Sequence, residues 1–219
     1  MVGISVNRPG VGNVSNAPAL FPDDVPFGKR ILKQAGFFDG AFDGRWTPEA
    51  EQAAQAFLQS YNQIKQELGT FDPRSEAQLR TLLPATQRAA RAFLTRARDG
   101  LGGFEVKILS GTRTYAEQNA LYEKGRSRPG PRVTNARGGQ SNHNFGIAFD
   151  IGIFQNGRFL EGNNAAEERV YKQLAQVAGE GLEWGGNWRS FPDQPHYQLA
   201  LGQTVSQLRE KLEAGVRYT

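Results

Sequence analysis

Apolar residues recur at helical spacing through the first third of the chain and alternate at strand spacing only later. Gly28 to Ala35 carries Ile31, Leu32 and Ala35 on one face, and Gly36 stops that helix. A turn-rich loop, "FFDGAFDGRW", follows. Thr47 is then a good N-cap, Pro48 a good first helical residue, and Glu49 and Glu51 suit the positive end of a helix. The helix they open presents Ala50, Ala53, Ala54, Phe57, Leu58 and Tyr61 on one side. "FDPRSEAQLRTLL" weakly echoes this start, with Phe71-Asp72 parallel to Phe42-Asp43. The pattern predicts a three-helix unit over residues 25–83, about 60 residues, near the lower limit for independent folding.

Residues 84–219 read as α+β. A helix over Ala85 to Arg98 turns Ala89, Phe93, Leu94 and Ala97 inward. "FEVKILSG" alternates as a strand, and Tyr115 to Lys124 is helical. Residues 125–142 form a loop with four arginines and no acid. "IAFDIGIF" is a strand, and the "QNGR" after it signals a hairpin, because Asn-Gly tolerates positive φ. Ala165 to Val177 is a helix, "GLEWGGNW" a glycine-rich turn with two tryptophans, and "HYQLAL" a short strand. Thr204 caps a last helix that ends at Gly215. The expected fold is α+β: a small helical unit, then a small, mainly antiparallel sheet flanked by helices.

Composition narrows the chemistry. Residues 1–24, rich in Gly, Pro, Asn, Ser and Val without period, read as a flexible arm. The chain has 219 residues, 38% hydrophobic and 22% charged, which supports a packed core over global disorder. A net charge of +4 and a pI near 9.5 favour polyanionic partners such as nucleic acid, an anionic membrane or a cell wall, without choosing among them. With no cysteine, disulfides, Cys-zinc sites and thiol catalysis are excluded, so any metal site must use His, Asp or Glu. No apolar run approaches the ~20 residues of a membrane span. The first residues lack a charged start followed by an apolar core, so a protein made in the cytoplasm without an ordinary signal peptide is expected.

The chain holds two histidines, His143 and His196. His143 is followed, after six intervening residues, by Asp150, and His196 closes Asp193-Gln-Pro-His196. A catalytic zinc site needs three protein ligands at about 2.0–2.2 Å and one open position. His143, Asp150 and His196 would supply a His-Asp-His set, leaving Asp193 free to take a proton from the bound water. Small Gly146 and Ala148 let the chain turn from the loop of His143 into the strand of Asp150. The bland alternative is a hydrogen-bonded structural histidine beside an Asp that faces outward on an edge strand. A buried, unpaired carboxylate among Phe149, Ile151 and Ile153 would be costly. From spacing alone both readings stand.

"SGTRT", then "SNHNFGIAFDIGIF", then "GLEWGGNWRSFPDQPHYQL" resemble the zinc peptidoglycan peptidases of the VanY/VanX type, and within them the L-alanyl-D-glutamate endopeptidases of phage endolysins and bacterial wall hydrolases. The family patterns S-G-x-R, S-x-H-x-x-G-x-A-x-D and (D/E)-x-x-H all occur in order, and the resemblance covers about residues 79–200. It implies zinc ligands at His143, Asp150 and His196, a catalytic base at Asp193, and an arginine beside the scissile carbonyl at Arg113. Glu183, thirteen residues before His196, is a rival base of lower rank. It also implies cleft-lining substrate contacts at Gln118, Ser141 and Trp184. Asp rather than Glu at the base position matches the endopeptidase branch.

Residues 26–83, through "LKQAGFFDGAFDGRWTPEAEQAAQAF", more loosely resemble the small peptidoglycan-binding domain found beside such hydrolases. The usual glycine after the aromatic is missing, and a plain helical spacer is the alternative. The expectation is therefore a flexible arm (1–24), a helical wall-binding unit (25–83) and a zinc peptidase domain (84–219) that together cleave the stem peptide of peptidoglycan, at the L-Ala–D-Glu bond. A D-Ala-D-Ala carboxypeptidase and a non-catalytic wall component are the alternatives. Delivery is expected through a holin-like or injection route, as a monomer. The five positive charges from Lys124 to Arg137 read as a solvated loop or a lip for stem-peptide carboxylates. With no aromatics among them, nucleic-acid binding is not expected.

Overall fold

Helix starts follow their caps. The computed structural model describes residues 20–218. Asp24 caps α1 (Val25–Gln34), Thr47 caps α2 (Pro48–Leu68), and Asp72 caps α3 (Pro73–Leu79), each side chain accepting backbone N–H groups of the first turn, with proline at the start of the helix. α4 (Pro84–Gly100) opens on Pro84 without a side-chain cap. Thr114 and Glu117 form a reciprocal capping box at α5 (Tyr115–Glu123), and Thr204 and Gln207 do the same at α7 (Val205–Ala214). Asn164 caps α6 (Ala165–Gln176). Of the arm expected over residues 1–24, residues 1–19 lie outside the described residues; Leu20 is buried and Asp24 belongs to the α1 cap.

The strands are β1 (Glu105–Ser110), β2 (Ala148–Gln155), β3 (Arg158–Leu160), β4 (Leu182–Trp184) and β5 (His196–Leu199). They form an antiparallel sheet in the order β1-β2-β5-β4, with β3 also pairing β2 beyond the end of β5. The β2–β3 hairpin turns at Asn156 and Gly157, both at positive φ (51° and 77°), as Asn-Gly predicts. β2 is interior, with β1 on one side and β5 on the other, so Asp150 does not sit on an edge strand. β4 corrects the turn expected across "GLEWGGNW". Leu182 and Trp184 pack on the core and the intervening Glu183 points away, a strand too short for alternation to reveal beside its glycines.

Two apolar cores cross position 84. One joins Tyr61, Leu79 and Leu82 to Phe93, Ile108, Phe149 and Tyr197. The other joins Phe27, Ile31, Leu32 and Phe57 to Phe145, Ile147, Leu208, Leu212 and Tyr218. The helical unit expected over 25–83 and the domain expected over 84–219 share both. Polar bonds reinforce this. Ile108 N donates to Ser75 Oγ (2.9 Å), Gly111 N to Gln78 Oε1 (3.0 Å) and Thr112 N to Thr81 Oγ1 (2.9 Å). The α3 segment therefore lies directly behind the end of β1.

α4 buries a charge that helical periodicity did not mark. Arg91, fully buried, donates through Nη1 and Nη2 to the two carboxylate oxygens of Glu76 (2.9 and 2.7 Å) and to Gly69 O (2.7 Å). Tyr61 Oη–H and Phe71 N–H also donate to Glu76 (2.6 and 2.8 Å). Burial works against the Glu76 charge, but these donors outweigh it and hold the carboxyl below its ordinary range. Among the described residues no helix is long and apolar enough to cross a membrane.

Candidate metal centre

The floor of the site is set by sheet register. Asp150 on β2 sits opposite His196 on β5, and His143 comes from a 3₁₀ turn, Asn142–Phe145, just before β2. Gly146 closes that turn at φ 73°, a left-handed position, so the bend expected at Gly146 is there. His143 Nε2 lies 3.0 Å from Asp150 Oδ1, His196 Nδ1 lies 3.2 Å from the same oxygen, and the two nitrogens are 3.2 Å apart.

What these atoms can do follows from what the opposite ring nitrogens do. A carbonyl only accepts, so the 2.7 Å contact with Gly111 O puts the His143 proton on Nδ1. The 3.0 Å contact with Gln198 Oε1 likewise draws the His196 proton to Nε2. The remaining atoms, His143 Nε2, His196 Nδ1 and an Asp150 oxygen, then all present lone pairs to one point. Among the described residues no protein donor stands between these three atoms, Arg113 reaching only the other Asp150 oxygen, Oδ2, so a cation is what such a cluster lacks. Ligands about 2.1 Å from one tetrahedral ion stand about 3.4 Å apart, close to the separations here. The donor set therefore fits a divalent metal, and two nitrogens with one carboxylate suit zinc.

The Asp150 charge couples to both imidazoles. Burial opposes the Asp150 charge, but His143 and His196 hold its carboxyl well below the usual carboxylate range. Burial lowers the His143 pKa despite Asp150. For His196 burial also works downward, but Asp150 and Gln198 raise it. Burial, and then the Asp150 charge, raise the carboxyl of Asp193 above its ordinary value, against His196 and Arg113.

Above this floor opens a cleft of about 930 Å³. Arg113, Ser141, Asp193 and Trp188 line it along with His143 and His196. Arg113 donates Nη1 to Ser110 Oγ (2.6 Å) and Asp150 Oδ2 (3.3 Å), and Nε to Gln118 Oε1 (3.0 Å). Gln118 and Trp184 were expected to line the cleft, and neither does. Gln118 is fully buried and bridges Arg113 to Ala136 O (2.8 Å). Trp184 packs on the core and donates to Gln194 O (2.7 Å), because strand alternation turns it away from the side of Glu183. The aromatic residues that line the cleft are Trp188, four residues on, its ring 4.9 Å from that of His196, and the exposed Phe191. Tryptophan content marked this segment, but only the turn after β4 decides which ring faces in. Glu183, the rival base, does not line this cleft; it accepts from Gln198 Nε2 (2.8 Å).

The arginines of the loop after α5 are bound to the loop and to the last residues of α5. Arg126 donates to Tyr122 O, Thr134 O and Asn135 Oδ1, and it stacks on the Tyr122 ring at 3.9 Å. Arg137 lies over the same ring at 4.8 Å, and Arg128 pairs with Glu123. The cleft wall on this side is Val133 to Ala136.

Residues 134–199 match a peptidase family M15 model described as D-alanyl-D-alanine carboxypeptidase. A Bacillus subtilis (strain 168) protein, peptidoglycan L-alanyl-D-glutamate endopeptidase CwlK, is 36% identical over 103 residues, covering 44% of this chain and 62% of its own length. The L-alanyl-D-glutamate peptidase of Listeria phage A118 is 30% identical over 126 residues, 58% of this chain and 41% of its own. The crystal structure of Serratia marcescens L-Ala D-Glu endopeptidase ChiX covers 60% of this chain and 90% of its own, at 28% identity and a TM-score of 0.44. The chain thus spans about three fifths of the Bacillus protein and about two fifths of the phage protein.

Proposed function

We propose that this chain, which carries a peptidase family M15 domain, is a zinc-dependent peptidoglycan hydrolase that cleaves the stem peptide between L-Ala and D-Glu. The observation that carries this is the convergence of three lone-pair atoms, from His143, Asp150 and His196, at the floor of an open cleft that Asp193 and Arg113 also line. Those three residues would hold a zinc ion, which would supply a Lewis acid for the scissile carbonyl and lower the pKa of a bound water.

The chain's own groups do the rest. Asp193, whose carboxyl burial and Asp150 push upward, takes the proton of the attacking water and returns it to the leaving amine. Arg113 is pinned at Nε and Nη1, so it presents its remaining N–H groups to the developing oxyanion without reorganising. Gln118 positions Arg113 from behind. Ser141 and Trp188 contact the substrate as walls of the cleft.

The choice of bond rests on the names of the two endopeptidase relatives. The description of the family model favours a second reading, release of a terminal D-Ala. Mass spectrometry of products from purified sacculi separates them. Disaccharide–L-Ala with new D-Glu amino termini supports the endopeptidase; loss of D-Ala alone replaces it with the carboxypeptidase. We also read residues 25–83 as adding affinity for the wall. Co-sedimentation of the inactive Asp193→Asn chain with sacculi tests that, and a chain left in the supernatant refutes it.

A further inference from the structure

Gln198 faces His196 with its amide oxygen rather than its amide nitrogen, and that choice decides which nitrogen of His196 is free. With the oxygen turned in, Nε2 must carry the proton, and Nδ1 points bare toward Asp150 and His143. With the nitrogen turned in, the Gln198 NH₂ would donate to Nε2, the proton would move to Nδ1, and one of the three lone pairs would be lost. A glutamine alone has little preference between the two.

The sheet supplies the preference. Gln198 on β5 stands directly opposite Glu183 on β4 and opposite Ala148 on β2. Ala148 is small and leaves the space over β2 to the Gln198 side chain. Glu183 Oε2 accepts from Gln198 Nε2 at 2.8 Å. A carboxylate can accept but cannot donate, so it binds the nitrogen end of the amide and no other. Asn142 Nδ2 donates to Gln198 Oε1 from the far side, which reinforces the same orientation. His196, Asn142 and Glu183 thus meet Gln198 in only one consistent arrangement of donors and acceptors.

We infer that Glu183, acting through Gln198, is a positioning residue that sets His196 to offer Nδ1 to a metal. The inference rests on the proposed metal centre but concerns residues outside it. It also gives Glu183 a task other than the proton transfer for which its charge made it a candidate. Partners behind a ligating histidine commonly contribute about 10–100-fold to metal affinity.

The test is the zinc affinity of the full chain, measured by competition with a chelator. Gln198→Leu should bind zinc about 10–100-fold more weakly. Glu183→Leu should lose about two- to tenfold, the worth of one hydrogen bond. Glu183→Gln, whose amide can donate as well as accept and so no longer dictates which end of Gln198 turns to His196, should fall between the unmodified chain and Glu183→Leu. The decisive arm is the pair of backgrounds. In a Gln198→Glu chain either oxygen of the new carboxylate accepts from His196 and the other meets the like charge of Glu183, so adding Glu183→Leu should cost nothing and relieve that repulsion. In the zinc-loaded protein the His196 Nε2 proton should exchange slowly, and faster after Gln198→Leu. Equal losses from Glu183→Leu in both backgrounds, or undiminished affinity in Gln198→Leu, would overturn the relay while leaving the metal centre intact. No zinc on the unmodified chain would overturn both.

Discussion

The two imidazoles of the site are held from behind by different kinds of partner. His143 rests on the backbone, through Gly111 O, and that carbonyl is set by Gln78 and Thr81 at the end of α3. His196 rests on side chains, through Gln198 on β5 and then Glu183 on the edge strand β4. A backbone anchor cannot be deleted by substitution at the anchoring residue; it can only be displaced by what packs around it. A side-chain anchor can be removed one group at a time. The difference ties His143 to the stability of the helical unit and His196 to local amide chemistry. It predicts that substitutions around Gln78 and Thr81 disturb His143 more than His196.

The largest expected effect leaves both anchors in place. Asp193→Asn should lower kcat on sacculi by about 10²–10⁴-fold while zinc affinity stays within a few-fold, which separates chemistry from ligand positioning. Next is a cut on the His143 side. Arg91→Leu leaves the buried Glu76 of α3 without its ion-pair partner, at a cost of about 3–5 kcal/mol read by chemical denaturation. Zinc affinity should fall with it. The same pair sets an acid limit. Because the folded carboxyl of Glu76 lies below its ordinary 4.5, its stabilisation is fully present above about pH 4.5 and is lost as pH falls through the folded value. Stability of the unmodified chain should therefore decline below that pH, and the decline should be shallower in an Arg91→Leu, Glu76→Leu double variant.

A more direct cut follows. A Cβ at Gly111 would stand 2.5 Å from Thr81 Oγ1 and 2.7 Å from Gln78 O. Gly111→Ala must therefore push the carbonyl away from His143, at about 1–3 kcal/mol, and should weaken zinc binding in the same protein. Thr81→Val keeps the shape and removes the acceptor for Thr112 N, for about 0.5–1.5 kcal/mol. Gln198→Leu sharpens the contrast, because its metal-free melting temperature should stay within the 2–4 °C that about 1 kcal/mol produces at this size. Equal losses of melting temperature in Gly111→Ala and Gln198→Leu would erase the distinction between the two anchors.

Much of this was legible in the residues. The caps at Thr47 and Thr204, the Asn156-Gly157 hairpin and the spacing of His143, Asp150 and His196 all carry local signals. Local signals read well because a cap or a tight turn is decided by a few neighbouring residues. The parts that were not legible depend on pairing across the chain. Gln198 looks like any polar residue on a short strand until β4 places Glu183 opposite it. Gln118 and Trp184 looked like cleft residues, but one is buried behind Arg113 and the other faces the core. Trp188 lines the cleft instead. Arg91 reads as a solvent-facing position on a helix until α3 brings Glu76 against it. Nothing near position 84 signals that Leu79 and Leu82 share a core with Phe149 and Tyr197.

The most direct test of the account is zinc titration of metal-free protein on purified sacculi, reading new D-Glu amino termini. The account predicts no termini without metal, and termini rising to a plateau at one zinc per chain, with none at any zinc level in Asp150→Ala. Equal cleavage by the metal-free chain, or by Asp150→Ala, would contradict it.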